Sequence, residues 1–364
     1  MNFVRSDSAL IAETLLAMKG LVLAYGGDVH PATAIEENNG SIRVICDAPD
    51  AQSLPLFRVP DALLVPTDQL CWSGDEETLQ LASPARHLSA ERAEMLELFI
   101  TLYNATGKLG WLSNQAARIL LHDTEFAAQL MLVRPGQLNN APTPAAALIQ
   151  TRTYLCRAQL PDIGNASCLM PLIDFMNNHV AGSEYQHGPG HLLVNVSRPL
   201  GSKECYANYG SYRDPLGLAL GHGYLDPHSP FTQSAPAIID LAGFGRLEIL
   251  GKRIATKHRA DPPEIEFSDD GVTLSHLSGD IRAPHYLQAT LRLPVMASGK
   301  RRGIADAAVD RALANLPHAI MAANKQKLGA FRSYLATRPE LPLASLLSEA
   351  ALCQLANLEK ILAA

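Results

Sequence analysis

The sequence predicts an α+β protein: short strands carrying a helical insert, then a C-terminal part that is first β-like and then helical. Two observations carry this. Strand-like and helix-like stretches follow one another in blocks and do not alternate, which argues against a doubly wound parallel sheet. No GxGxxG follows a strand and no GxxxxGK[ST] occurs, so the usual nucleotide-cradling loops are missing.

The blocks can be taken in order. Ser8 to Tyr25 reads as a helix, with Ser8 as its cap, Gly26-Gly27 as its end, and Leu10, Ile11, Leu15, Leu16 and Met18 as its apolar face. Ser41 to Cys46 and Leu54 to Val59 are strand candidates, rich in branched residues and bounded by Gly, Pro or Asp. From Ala82 to about Leu132 the pattern is helical. Met95, Leu96, Phe99, Ile100 and Tyr103 recur at helical spacing, and Gln115 to Leu132 forms a further helix. Arg134 to Pro144 is a loop by composition. Leu192 to Val196 follows the turn HGPGH as a strand. Pro227 to Pro236 reads as a linker, Ala237 to about Leu293 as a β segment with a turn at Asp269 to Gly271, and Gly303 to Ala364 as helices broken near Pro317 and near Pro339 and Pro342.

A length of 364 residues with 47% hydrophobic content suffices for a sizeable core and suggests two or three domains. A net charge of −6 argues against a generally basic surface, so nucleic acid is not an expected partner. No run of 18 uncharged apolar residues occurs, so no membrane span is expected. Asp7, Glu13 and Lys19 interrupt the apolar N-terminus, so no secretory signal is expected. The six cysteines are scattered without a CxxC pair and read as reduced thiols of a cytoplasmic protein. His187 and His191 lie four apart across a Gly-Pro-Gly turn, not on a helix, and no HExxH or GxSxG occurs. No metal is expected.

The stretch PLIDFMNNHVAG, Pro171 to Gly182, admits two readings. One is a buried turn in which Asp174 and Asn177 satisfy backbone groups. The other takes it together with three further pieces. Thr151-Arg152-Thr153-Tyr154 stands upstream, and Tyr209-Gly210 and His222-Gly223-Tyr224 stand downstream. In this order, with Gly201-Ser202-Lys203-Glu204 between, the chain resembles the SET-domain protein methyltransferases of the Rubisco large-subunit methyltransferase type. Phe57 to Pro60 matches that family's short strand ending in Val-Pro, and the helical block at about 75–150 takes the place of its insert. The likeness covers roughly residues 8–226.

The resemblance implies S-adenosylmethionine as cofactor and a protein substrate with a target lysine. By position, Tyr209 is the catalytic residue at the methyl-transfer point. Arg152, Asn177, Asn178 and Gly40 bind the cofactor, with Arg152 at its carboxylate. Tyr224, His222 and Tyr154 belong to the substrate channel, Tyr224 standing equally well as an ordinary core aromatic. Residues 1–228 would form the catalytic domain and 229–364 a second domain with a docking role. Three positions depart from the pattern. Asn178 stands where the family has histidine, only Gly40 remains of its glycine-rich strand, and His222 replaces the first tyrosine of its Tyr-Gly-Phe. These leave two alternatives open: a SET-like interaction module without turnover, or methyl transfer to another protein nitrogen such as that of histidine. The sequence does not speak to self-association.

Overall fold

The computed structural model describes residues 2–48, 50–68, 70–73, 78–107, 123–135, 144–160, 164–209, 214–252, 262–341 and 343–364. Its helices are α1 (Ala9–Ala24), α2 (Ala90–Ala105), α3 (Thr124–Val133), α4 (Pro144–Thr151), α5 (Pro215–His222), α6 (Pro284–Arg301), α7 (Asp306–Thr337) and α8 (Ala344–Ala363), among many short strands. The chain forms two compact units. One joins Met1–Asn114 to Ala141–Gly210, and the other joins Gln115–Asn140 to Ser211–Ala364. The sequence reading sets its boundary at 228/229. In the structure α5 and α3 are counted with the C-terminal unit.

In the first unit, α1 is capped by Ser8, whose Oγ accepts from the Ile11 N–H at 3.4 Å. It buries Ile11, Thr14, Leu15, Met18 and Val22, a stripe one turn apart. Leu10 and Leu16, expected on that face, are 52% and 51% exposed. The helix is apolar nearly all round, so the packing partner and not the composition chooses the stripe. Thr33–Asn38 and Ser41–Cys46 form a hairpin closed by Asn39 and Gly40, at φ 50° and 78°. Two consecutive positive φ angles are what a two-residue primed turn demands. Pro55–Pro60 pairs with His191–Asn195, so that strands over a hundred residues apart share one sheet.

Thr153–Leu160 and Gly164–Leu169 form an antiparallel pair that the sequence reading left without an element. Helix α2 packs Met95, Leu96, Phe99, Leu102 and Tyr103 into the core of this unit. The expected helix from Gln115 lies partly outside the described residues, and its far end is α3.

In the second unit, the expected β segment is a four-stranded sheet in the order Ala237–Leu241, Gly245–Ile249, Gly271–Leu274, Ile265–Phe267. Three expectations need correction here. The sheet ends well before Leu293, because α6 begins at Pro284. Pro317 does not break the tail but lies inside α7, a helix of 32 residues. An interior proline costs about 3 kcal/mol. The buried stripe through Ala312, Leu316, Ile320, Leu328, Phe331 and Leu335 offsets it.

The third correction concerns Pro227 to Pro236, which is not a linker. Phe231–Gln233 pairs with Ser278–Asp280. Buried amides fasten the rest. Asn324 Nδ2 donates to Ser234 Oγ at 2.9 Å, and Asn324 Oδ1 accepts from the Ala235 N–H at 2.8 Å. Asn357 Nδ2 donates to the carbonyls of Ser229 and Phe231 at 2.8 and 2.9 Å. Gln354 Nε2 donates to the carbonyl of Gln233. A buried donor or acceptor stripped of its partner costs about 1–3 kcal/mol. Asn324→Ala strips Ala235 N–H and Ser234 Oγ together, so it is expected to destabilise the protein by on the order of 2–4 kcal/mol. Urea unfolding measures this, and a change below about 0.5 kcal/mol, the ordinary surface-substitution range, would refute the clamp.

Candidate functional site

The first unit gathers most of the residues singled out by sequence, and the gathering starts at a backbone turn. Leu172 has φ 63° and ψ −37°, and the Ile173 N–H donates to the Pro171 carbonyl at 2.7 Å. This is a γ-turn with positive φ, the rare and strained kind. Leu172 is fully buried, and the packing around it holds the strain. The turn delivers Asp174 into the core at 4% exposure. There its carboxylate accepts a hydrogen bond from the hydroxyl of Tyr103, on α2. Tyr103 is 1% exposed and stacks on Phe99 with ring centroids 5.8 Å apart. Burial, reinforced by the Asp174 charge, pushes its phenol well above the ordinary tyrosine range.

Arg152, at the end of α4, donates from Nη1 to the Asp174 carbonyl at 3.4 Å. Burial alone would lower its pKa. The Asp174 carboxylate, followed by Tyr103, Tyr209 and Tyr185, outweighs that and raises it above the ordinary value, so the guanidinium stays charged. Tyr154 lies with its ring 4.9 Å from that of Tyr185. Both pack partly buried against the core, as does Tyr209.

Beyond Asp174 the chain makes a tight wrap. Asn177–Ser183 pairs in parallel with Tyr206–Ala207, and Ala207 is matched first by Asn178 and again by Ser183. The strand between bends round Ala207 and Asn208. Asn208 N–H donates to the Ser183 carbonyl at 2.7 Å, and its side-chain amide to the Val180 carbonyl at 3.1 Å. Gly182 is needed in this bend, because a Cβ there would lie 2.6 Å from the main chain of Ala207.

Tyr209 emerges from the wrap held at two points. Its N–H donates to Asn178 Oδ1 at 2.8 Å, and its hydroxyl donates to the Met176 carbonyl at 2.5 Å. Asn178 thus fixes the main chain of the tyrosine. Asn177 is exposed and donates from Nδ2 to Glu204 Oε1 at 2.7 Å.

Arg152, Asn177, Asn178, Tyr154 and Tyr209 therefore share one unit and, for the most part, one chain of contacts through Asp174, Met176 and Tyr185. Gly40 is explained by its turn: a Cβ there would meet the Thr106 carbonyl oxygen at 2.2 Å. Gly210 lies outside the described residues. His222 and Tyr224 belong to the second unit. Their rings are 6.3 Å apart around Gly223, the left-handed C-cap of α5. Sequence reasoning gave no site role to Tyr103, Tyr185 and Glu204. Tyr103 was visible only as an apolar helix position; nothing in its spacing announces that its hydroxyl meets a carboxylate 71 residues away.

The Tyr103 shift has a definite pH signature. A phenol raised in the folded state adds stability that is complete below the unfolded tyrosine value, near 10, and is lost as pH rises from there toward the folded value. Urea titrations at about pH 8 and about pH 10.5 bracket the onset of that loss. The wild-type chain is expected to lose more stability between them than Tyr103→Phe does. Equal losses would contradict the burial of a neutral phenol.

No protein-family profile matches this chain, and no curated protein matches it. Solved structures do. A structure of Rubisco LSMT bound to AdoMet aligns with a TM-score of 0.45 and 11% identity, over 96% of this chain and 91% of that one. The SET domain of LSMT bound to lysine and AdoHcy aligns with a TM-score of 0.42 and 10% identity, over 97% and 91%. Among the described residues no group of three His, Cys, Asp or Glu side chains is placed to hold a metal ion. No described helix is long and apolar enough to cross a membrane.

Proposed function

We propose that this protein is an S-adenosylmethionine-dependent methyltransferase acting on the side-chain amine of a lysine in a protein. One observation carries the reading. Arg152 and Tyr209, which stand in motif positions of the SET methyltransferases, both bond to the single segment Asp174–Asn178, which carries the motif position Asn178.

The donor set suits the methionine end of the cofactor, a zwitterion. Arg152 is a guanidinium kept charged by its surroundings, fit for a carboxylate. Asn177 and the Glu204 carboxylate stand together in an exposed pair, fit for an ammonium group. Gly40 shares the reading as a backbone contact beside the hairpin. The cofactor supplies an electrophilic methyl group on its sulfonium.

The protein's part is positioning and electrostatics. A lysine must be neutral to attack, and its ordinary pKa near 10.4 has to be overcome by desolvation and by positive charge close by. Half-buried tyrosines answer the first need. The Tyr209 hydroxyl, tethered at the Met176 carbonyl, would orient the amine, and that carbonyl is itself an acceptor for an N–H. Tyr154 joins the channel beside Tyr185. The channel roles of His222 and Tyr224 rest on the resemblance in sequence, as does a docking role for residues 229–364.

A second reading has its own observation. The Asn177 amide is engaged by Glu204 and the Tyr209 hydroxyl by Met176, which also describes a scaffold that binds partners without turnover.

Calorimetric titration with S-adenosylmethionine and with its demethylated product separates the two. The methyltransferase reading expects one-to-one binding, lost in Arg152→Ala and in Asn177→Ala. Tyr209→Phe is expected to bind nearly as well and to turn over roughly 10²-fold more slowly on a methyl-accepting protein, the usual loss for one transition-state hydrogen bond. Folded protein that binds neither ligand would leave the scaffold.

A further inference from the structure

We infer that Tyr103 is a positioning residue for Arg152: by occupying the buried carboxylate of Asp174, its hydroxyl keeps the guanidinium from collapsing onto that carboxylate and leaves it free for an incoming anion. The inference rests on the reading of Arg152 as the partner of the cofactor carboxylate.

Three facts place the residues in these roles. Tyr103 Oη donates to Asp174 Oδ2, with both residues nearly inaccessible to water. Arg152 lies beside the same aspartate yet meets it through the main-chain carbonyl, at 3.4 Å. Among the described residues, Asp174 on its turn, Tyr103 on α2, Tyr209 after the wrap, and Tyr185 act on the guanidinium. Among these the carboxylate is the one strong anion. A buried carboxylate must be satisfied, and an arginine within reach would ordinarily take it two-pronged. The Tyr103 hydroxyl takes the place of one prong.

Packing alone does not ask for this hydroxyl. The ring is already accommodated by Phe99, and phenylalanine would fill the same volume. Burying a phenol is costly unless it is bonded, so a tyrosine here is explained by the bond it makes. Helix α2 lies outside every motif that marks the site. The proposal therefore assigns the insert a function: it sends one side chain inward to set the charge geometry under Arg152.

The test uses the full-length protein. With arginine side chains labelled with nitrogen-15, the Arg152 Nε–Hε resonance is assigned by its disappearance in Arg152→Lys. In Tyr103→Phe without ligand, the resonance is expected to shift, as the carboxylate, no longer bonded to the phenol, draws the guanidinium in. Binding of S-adenosylmethionine by the same variant is expected to weaken about tenfold, the worth of one charge-assisted hydrogen bond. A purely structural role would lower the melting temperature and leave both readouts in place. An unmoved Arg152 resonance with unchanged affinity overturns the proposal. A moved resonance in a protein whose wild type binds no S-adenosylmethionine sinks the methyltransferase reading, while the hold of Tyr103 on Arg152 stands. Should Tyr103→Phe fold poorly, Asp174→Asn provides the second variant. It removes the charge that draws the guanidinium, so the Arg152 resonance moves there too, and a resonance that stays put in Asp174→Asn refutes the proposal.

Discussion

A carboxylate buried in a protein core must be compensated, and Asp174 is the point on which the first unit's polar interior turns. Its side chain is answered by a phenol from α2 and its main chain by a guanidinium from the end of α4. Two helices distant in sequence are thereby fixed to one residue. The compensation is demanding, since loss of any one partner leaves a charge or a donor without water to replace it. That is a reason for the strained Leu172 turn to persist. A relaxed backbone there would aim the carboxylate elsewhere, and the surrounding core makes the strained form the better total.

The second constraint is topological. Segment 177–183 bends round residues 206–208 and pairs with Ala207 twice. Such a wrap needs a residue without a side chain at the closest approach, and Gly182 supplies it. The wrap passes order from fold to site: residues 177 and 178 cannot move without moving 206 to 209. Tyr209 therefore takes its position from hydrogen bonds to Asn178 and Met176, not from local propensity. A residue on a loop gains in this way the definition of one on a strand.

The second unit uses polar burial differently. Its amides Asn324, Gln354 and Asn357 bond the main chain and a hydroxyl of a segment of which only Phe231–Gln233 pairs as a strand. Prolines, serines and a glutamine make residues 227–236 look like a linker, because the same residues suit water and suit a polar clamp equally well. Which of the two holds is settled by helices α7 and α8, far along the chain. Pro317 teaches the same lesson: a helix breaker by propensity is tolerated where the buried face of a long helix outweighs the lost hydrogen bond.

Local chemistry was legible in the sequence alone. The cap at Ser8, the strand at Ser41–Cys46, the period of α2 and the α+β class all follow from interactions within a few residues, which a sequence displays directly. The order of the motifs also pointed to Arg152, Asn177, Asn178 and Tyr209. What only the tertiary structure decided are contacts between distant residues: which stripe of α1 is buried, the strand pair at 153–169, the fastening of 227–236, and the meeting of Tyr103 with Asp174. Periodicity reports that a side chain faces inward. It does not report what the side chain will find there, because that depends on where the rest of the chain brings its charges.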